Sequence, residues 1–201
     1  QSDKFDSSHM DIKKLANSLI NFCIKRLIEL IGIIISCLGI LLLIALASYS
    51  PNDPNFIFPE NTNIKNFLGF KGSYISDIFF QSIGLISYLI PLTLIFTGFS
   101  IFKKKEIFLI IKNIFYIIPY CLTGSLFFDF FYKNAFTLFI NGNGGFVGNY
   151  LNNSFISNIL NSYQNISFYF LIILIFIFFL ISINFNEKSF NFLIKKIFLI
   201  I

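Results

Sequence analysis

Apolar positions in this chain neither alternate nor keep to one helical face. They run unbroken through four stretches, 30–48, 78–102, 113–128 and 166–183, none of which contains Asp, Glu, Lys or Arg. A helix needs about 20 mostly apolar residues, each rising about 1.5 Å, to cross the ~30 Å hydrocarbon core of a bilayer. The stretches therefore predict an all-α, integral membrane four-helix transmembrane bundle with spans at about 27–48, 78–102, 107–131 and 166–183. Residues 1–26 form an N-terminal arm and 184–201 a tail, and the bundle has two glycine-containing connections on one side.

Charge orients the bundle. Twelve of the 15 basic residues fall in the arm (Lys4, Lys13, Lys14, Lys25, Arg26), the second connection (Lys103, Lys104, Lys105, Lys112) and the tail (Lys188, Lys195, Lys196). The first and third connections share only Lys65, Lys71 and Lys133. Short connections rich in Lys and Arg stay in the cytoplasm, so both termini are expected there, with 49–77 and 129–165 outside. The net charge of +5 is then a topology device that also attracts anionic headgroups. It is not a nucleic-acid footprint, because no solvated face combines clustered Arg with aromatics. Ala45-Leu46-Ala47 imitates a signal-peptide cleavage site, but the apolar run before it is longer than a typical h-region, so an uncleaved span is expected.

Composition narrows the chemistry. Hydrophobic residues make up 56% of the chain and charged residues 12%, too few to cover a soluble surface. Cys23, Cys37 and Cys121 have neither a disulfide framework nor metal-ligand spacing. His9, the only histidine, stands among the first ten residues in Ser8-His9-Met10 and carries no reading, so no His-based triad is expected, and no phosphate loop, H-E-x-x-H or G-x-S-x-G occurs. No ionisable residue sits at mid-span, where transporters hold the groups that mark a substrate path. Glu29, Lys112 and Asp129 lie at span ends, where long side chains can snorkel and short ones meet water.

Packing signals lie inside the spans. Gly32, Ser36 and Gly39 form a small-residue stripe on the first helix that permits close helix approach. Gly84, Ser87, Thr93, Thr97 and Gly98 do so on the second, and Gly124 with Ser125 on the third. Pro91 and Pro119 are expected to kink spans two and three. The Phe-, Leu- and Ile-rich fourth span suits the lipid-facing periphery.

The outer connections carry the more specific patterns. Ser48-Tyr49-Ser50-Pro51-Asn52-Asp53-Pro54 should close the first helix sharply, with Asp or Asn bonding nearby backbone in a turn. Gly69 to Gly72 precede the second span, with Asp77 and Gln81 one turn apart at its start, the Asp near a helix N-terminus where the dipole favours it. Asn141-Gly142-Asn143-Gly144-Gly145-Phe146-Val147-Gly148 reads as a tight turn or re-entrant element packed on the bundle, followed by a short helix from about 147 to 160. Asp53 and Glu60 could be drawn as a pair of acid/base carboxylates, but nothing in the sequence fixes their separation.

S-Y-S-P-N-D-P, the G-F-K-G-S-Y-I-S-D-I-F-F-Q-S-I-G run and G-G-F-V-G resemble the N-terminal membrane domain of the FtsK/SpoIIIE DNA translocases over roughly residues 25–185. The resemblance attaches to Ser48, Tyr49, Ser50, Pro51, Asp53, Pro54, Gly69, Gly72, Asp77, Gln81, Gly84, Gly144, Gly145 and Gly148. It implies a bacterial inner-membrane anchor at the division septum that contacts membrane lipid and other divisome proteins. ATP, Mg, DNA and a homo-oligomeric, hexameric state are implied only through a cytoplasmic motor outside these residues, so the chain itself is expected not to be an enzyme. Two other readings stand beside it: a free-standing transporter or channel lined by Thr93 and Thr97, and a membrane enzyme using Asp53, Asp77 or Glu60. The tail, with Lys195 and Lys196 set apart from an apolar stripe, is expected to be an interfacial amphipathic helix; its echo of Lys104 to Ile111 would alternatively start a fifth span.

Overall fold

A computed structural model of the chain describes residues 2–54, 63–133 and 141–185, with side chains from residue 14 onward. Helix α1 runs from Ser2 to Ala47, α2 from Gly69 to Ile83, α3 from Leu89 to Lys104, α4 from Leu109 to Tyr132, α5 from Gly145 to Asn152, α6 from Ile156 to Ser162 and α7 from Gln164 to Ser182. A 3-10 segment, Gly84–Tyr88, joins α2 to α3. Four elements are long and apolar enough to cross a membrane: 14–47, 69–104, 109–132 and 164–182. The described residues contain no strand.

Three polar contacts mark one end of the bundle. Glu29 of α1 pairs with Arg26 at 2.6 Å and with Lys105 after α3 at 2.8 Å, while Lys112 Nζ of α4 donates to Asn184 Oδ1 after α7 at 3.2 Å. Counting about 20 residues, or about 30 Å, along each helix from this basic end reaches Ala47, Gly84, Asp129 and Tyr163. Those positions form the opposite end, and the segments beyond them build a cap over it.

Several features differ from the sequence expectations. Helix α1 starts well inside the arm, so the arm and the first span are one continuous helix. The second element starts at Gly69 rather than 78, and its irregularity is the 3-10 segment instead of a kink at Pro91. Pro91 stands in the first turn of α3, where a helix has no use for the missing N–H. Pro119 lies inside α4 without ending it. The single helix expected at 147–160 is two, α5 and α6, separated at Asn153–Phe155. Glu60 and the tail lysines Lys188, Lys195 and Lys196 fall outside the described residues.

Packing within the bundle follows the small residues. A Cβ placed on Gly32 would stand 2.7 Å from the Gly98 carbonyl, and one on Gly39 2.9 Å from the Pro91 carbonyl. The backbones of α1 and α3 are therefore in contact, and Ser36 Oγ donates to the Ile95 carbonyl at 3.2 Å. Deeper in the bundle, Thr93 bonds Tyr120 of α4 and Ser182 of α7, both at 3.1 Å, and Asn113 Nδ2 donates to Thr97 Oγ1 at 2.7 Å. Four helices are thus tied by hydroxyl and amide pairs, the usual adhesive where lipid removes the hydrophobic incentive for helices to associate. Helix α7 packs against α4 and fully buries only Ser167, Leu171 and Ser182; Phe168, Ile175, Phe178 and Phe179 pack half-buried against the core, and the opposite face, with Ile166, Phe170 and Ile173, is left to lipid.

Gly98→Leu should separate α1 from α3 and lower stability by about 1–3 kcal/mol, the usual cost of overpacking. Leu38→Ile, on the exposed face of α1, should unfold in detergent near the wild-type midpoint.

Candidate functional site: the cap over the helix ends

The C-terminal end of each helix presents carbonyls without intrahelical partners, and a nonpolar surrounding makes an unpaired one expensive. The end of α1 meets this demand with groups from three segments. The Ile44 carbonyl accepts from Ser48 N at 3.0 Å and Ser48 Oγ at 2.7 Å. The Ala45 carbonyl accepts from Asn66 Nδ2 at 2.8 Å. The Leu46 carbonyl accepts from Tyr49 N at 3.3 Å and the Tyr88 hydroxyl at 3.1 Å. Ser48 serves twice, since its Oγ also accepts from Phe67 N at 3.1 Å.

Asp53 positions Asn66. Its carboxylate accepts from the backbone N–H of Lys65 at 3.0 Å and of Asn66 at 2.8 Å, and it is buried. The sequence pattern pointed to a side-chain turn with nearby backbone; the carboxylate instead clamps a segment 12–13 residues away. With both oxygens engaged, Asp53 is a structural acceptor. Gly72 is required beside it, because any Cβ there would collide with Asn66 Oδ1. Ser73 Oγ donates to the Pro54 carbonyl at 2.9 Å, tying the end of the S-Y-S-P-N-D-P run to α2.

Asp77 corrects another expectation. It stands eight residues into α2, which begins at Gly69 with a φ of +65°, too far from the helix N-terminus for the dipole to act. Its partner is the Tyr49 hydroxyl at 3.0 Å, with Gln81 Nε2 at 3.5 Å. Burial, and then the neighbouring Asp77 carboxylate, push the Tyr49 phenol up from its ordinary value, so it stays protonated and donates. The Tyr49 ring lies 4.8 Å from that of Phe80, which lies 5.4 Å from Tyr88.

The glycine-rich turn closes the other half of the cap. Gly84 has a φ of +71°, and a Cβ on it would overlap the Asn143 carbonyl. That carbonyl accepts from Leu85 N at 2.9 Å, so the turn fills the break that the 3-10 segment opens in the second membrane element. Gly145, also at positive φ, abuts the backbone of Ser82 to Gly84, while Gly144 and Gly148 lie against Ser125 and Asp129. Gln81 accepts from Asn141 N at 3.3 Å, Ser125 Oγ donates to the Ile83 carbonyl at 2.8 Å, and Asn143 Nδ2 donates to the Tyr132 carbonyl.

Asp129 is not the water-facing span end that its position implied. It is 1% exposed and accepts from Asn152 Nδ2 at 2.9 Å, with Lys133 Nζ at 3.8 Å.

Asp53, Asp77, Gln81 and the glycines thus meet in one cap, as do Ser48, Tyr49 and Pro54. Lys25, Arg26 and Lys103 to Lys105 lie at the far end. Sequence reading missed Asn66, Tyr88 and Asn152. Asn66 lies in an unremarkable polar run, and Tyr88 is one aromatic among 39 Phe and Tyr residues.

Four membrane-crossing helical elements, polar pairing inside and a glycine-backed cap at one end define an integral membrane bundle. The chain belongs to the family described as the 4TM region of DNA translocase FtsK/SpoIIIE, which it matches over residues 24–193. It is 36% identical over 85 residues to DNA translocase FtsK of Shewanella oneidensis, covering 41% of this chain and 9% of that protein. With DNA translocase FtsK of Azospirillum brasilense the identity is 30% over 88 residues, covering 43% and 14%. With that of Caulobacter vibrioides it is 39% over 67 residues, covering 33% and 8%. The match spans about a tenth of the length of these relatives. No solved structure matches the chain.

Asn66→Ala should strand the Ala45 carbonyl and cost about 1–3 kcal/mol, read as a lower unfolding midpoint in detergent. Asn158→Ala, on the exposed side of α6, should leave the midpoint unchanged. Gly84→Ala, which combines positive φ with backbone overlap, should be the most damaging of the three.

Proposed function

We propose that this chain is the bacterial inner-membrane anchor of a cell-division DNA translocase, holding both its ends in the cytoplasm so that an ATP-driven motor joined to it can work on DNA at the septum. Family membership supports the anchor, and the charge distribution supports its orientation. Arg26, Lys103 to Lys105 and Lys112 cluster at one end of the bundle with Glu29 and Asn184, as the positive-inside rule requires of a cytoplasmic face.

The observation that carries this reading is the way the bundle uses its polar groups. Thr93 is engaged by Tyr120 and Ser182 and Thr97 by Asn113, so the side chains that a transporter would offer to a solute serve to join helices. Asp53 and Asp77 are likewise occupied by protein donors, which speaks against acid/base work. A bundle built to hold its own shape, and to present basic ends to one compartment, suits a scaffold. Divisome proteins on the outer side and hexameric assembly through the motor complete the proposal.

Alkaline phosphatase fused after Pro54 should be active and fused after Lys105 inactive, with green fluorescent protein giving the opposite pattern. The reverse result would overturn the orientation. A fluorescent fusion of residues 1–201 should concentrate at the septum in dividing cells, whereas an even envelope signal would remove septal targeting from this domain.

A further inference from the structure

The surface of α5 and α6 raises a question that anchoring leaves unanswered. Residues 134–186 contain no Asp, Glu, Lys or Arg, although they include both short helices and everything that connects them to α7. Phe146 and Tyr150, one turn apart on α5, point outward with their rings stacked at 6.4 Å, while Gly145 and Gly148 face the bundle. On α6 the outward side is Phe155, Ile159 and Tyr163, and Phe155 is 74% exposed. A patch of this kind is unusual on a surface that faces only water.

Its position in the chain shows what it joins. Exposed apolar residues run from Phe155 and Ile159 through Tyr163, where the backbone leaves the helical region (φ −131°, ψ 48°), to Ile166, Phe170 and Ile173 of α7. The exposed apolar surface around α6 therefore adjoins, through Tyr163, the face that α7 turns to lipid. Helix α7 has 19 residues and so spans about 28 Å, close to the hydrocarbon thickness. With Asn184 at the basic end, Tyr163 lies at the opposite boundary, and Phe155 precedes it by one two-turn helix. Aromatic rings beside amides and hydroxyls, here Asn149, Asn153, Ser157 and Asn158, suit the headgroup zone, where one end of a side chain is wet and the other apolar.

We propose that α5 and α6 form an interfacial element seated in the headgroup–acyl boundary of the leaflet opposite the basic ends, with lipid as the occupant of the Phe146, Tyr150, Phe155, Ile159 and Tyr163 face. Adjacency to the lipid-facing surface of α7 favours lipid over a protein partner, and the face itself carries no charge, the nearby Lys133 reaching Asn149 beside it. The cap is thereby supported from two sides, by Gly84 and Ser125 below and by the bilayer around it.

The chain has no tryptophan, so a single introduced one reports its own surroundings. Phe155→Trp, Tyr150→Trp and Ile173→Trp would be reconstituted separately in phosphatidylcholine vesicles brominated near the headgroup or near the chain end. Trp at 155 and at 150 should lose at least half its emission to the shallow bromines and little to the deep ones or to aqueous iodide. Trp at 173 should show the reverse preference for depth. Iodide quenching without bromolipid quenching at both 155 and 150 would overturn the proposal, because that face would then lie in water. Shielding from both quenchers that lifts on dilution with lipid would also overturn it, by showing that a second copy covers the face.

Discussion

The structure depends most on one constraint: backbone groups that leave a helix at the edge of the hydrocarbon core must find protein partners there. Water is scarce at that level, and an unpaired carbonyl costs far more than in solution. Ile44, Ala45 and Leu46 end a helix of 46 residues, and their carbonyls recruit Ser48, Tyr49, Asn66 and Tyr88. The first connection and the start of the second membrane element owe their arrangement to this demand. Asp53 orders the segment that carries Asn66, Gly72 leaves room for its amide, and Asp77 fastens the Tyr49 ring.

The same constraint explains why the second membrane element can be broken. At Gly84 the chain adopts a left-handed conformation and the regular ladder lapses, which would leave backbone groups unpaired beside lipid. The Asn143 carbonyl receives the Leu85 N–H instead. Irregular backbone at this depth is tolerated only when it is buried in protein, and here the burying protein is another loop. The two loops can touch because both are glycine where they meet, Gly84 on one side and Gly144 and Gly145 on the other. A methyl group on either surface would separate them and expose both.

These features give the bundle two unlike ends. One is a hydrogen-bonded cap whose carboxylates, Asp53, Asp77 and Asp129, are buried against protein donors, and the other gathers basic side chains around Glu29. Between them, threonine, serine, tyrosine and asparagine join the helices at short range without leaving a charged group in the core. Such a division of labour favours fixed orientation over movement of a solute, in keeping with membership of a family described by its four transmembrane segments.

Although the first two elements start earlier than the apolar runs, the number of spans was legible in the sequence because it depends on a local quantity, the length of an apolar run. The small-residue stripe of α1 was legible for the same reason, since Gly32, Ser36 and Gly39 recur at helical spacing whatever they touch. The glycine turn was readable as an element packed on the bundle, but the sequence did not show that it fills a break at Gly84. Nor did it show that Asp77 answers Tyr49, that Asp53 reaches Lys65 and Asn66, or that Asp129 is buried against Asn152. Those pairings bring together residues up to about 60 positions apart, and side-chain type alone does not select one partner among many amides and hydroxyls. Hydropathy alone thus determined that the chain crosses a membrane with four helices, because transfer into lipid is nearly additive along a helix. Only the tertiary structure decided which polar groups close the ends, because hydrogen bonds require atoms within about 3 Å and that proximity exists only after the helices have packed.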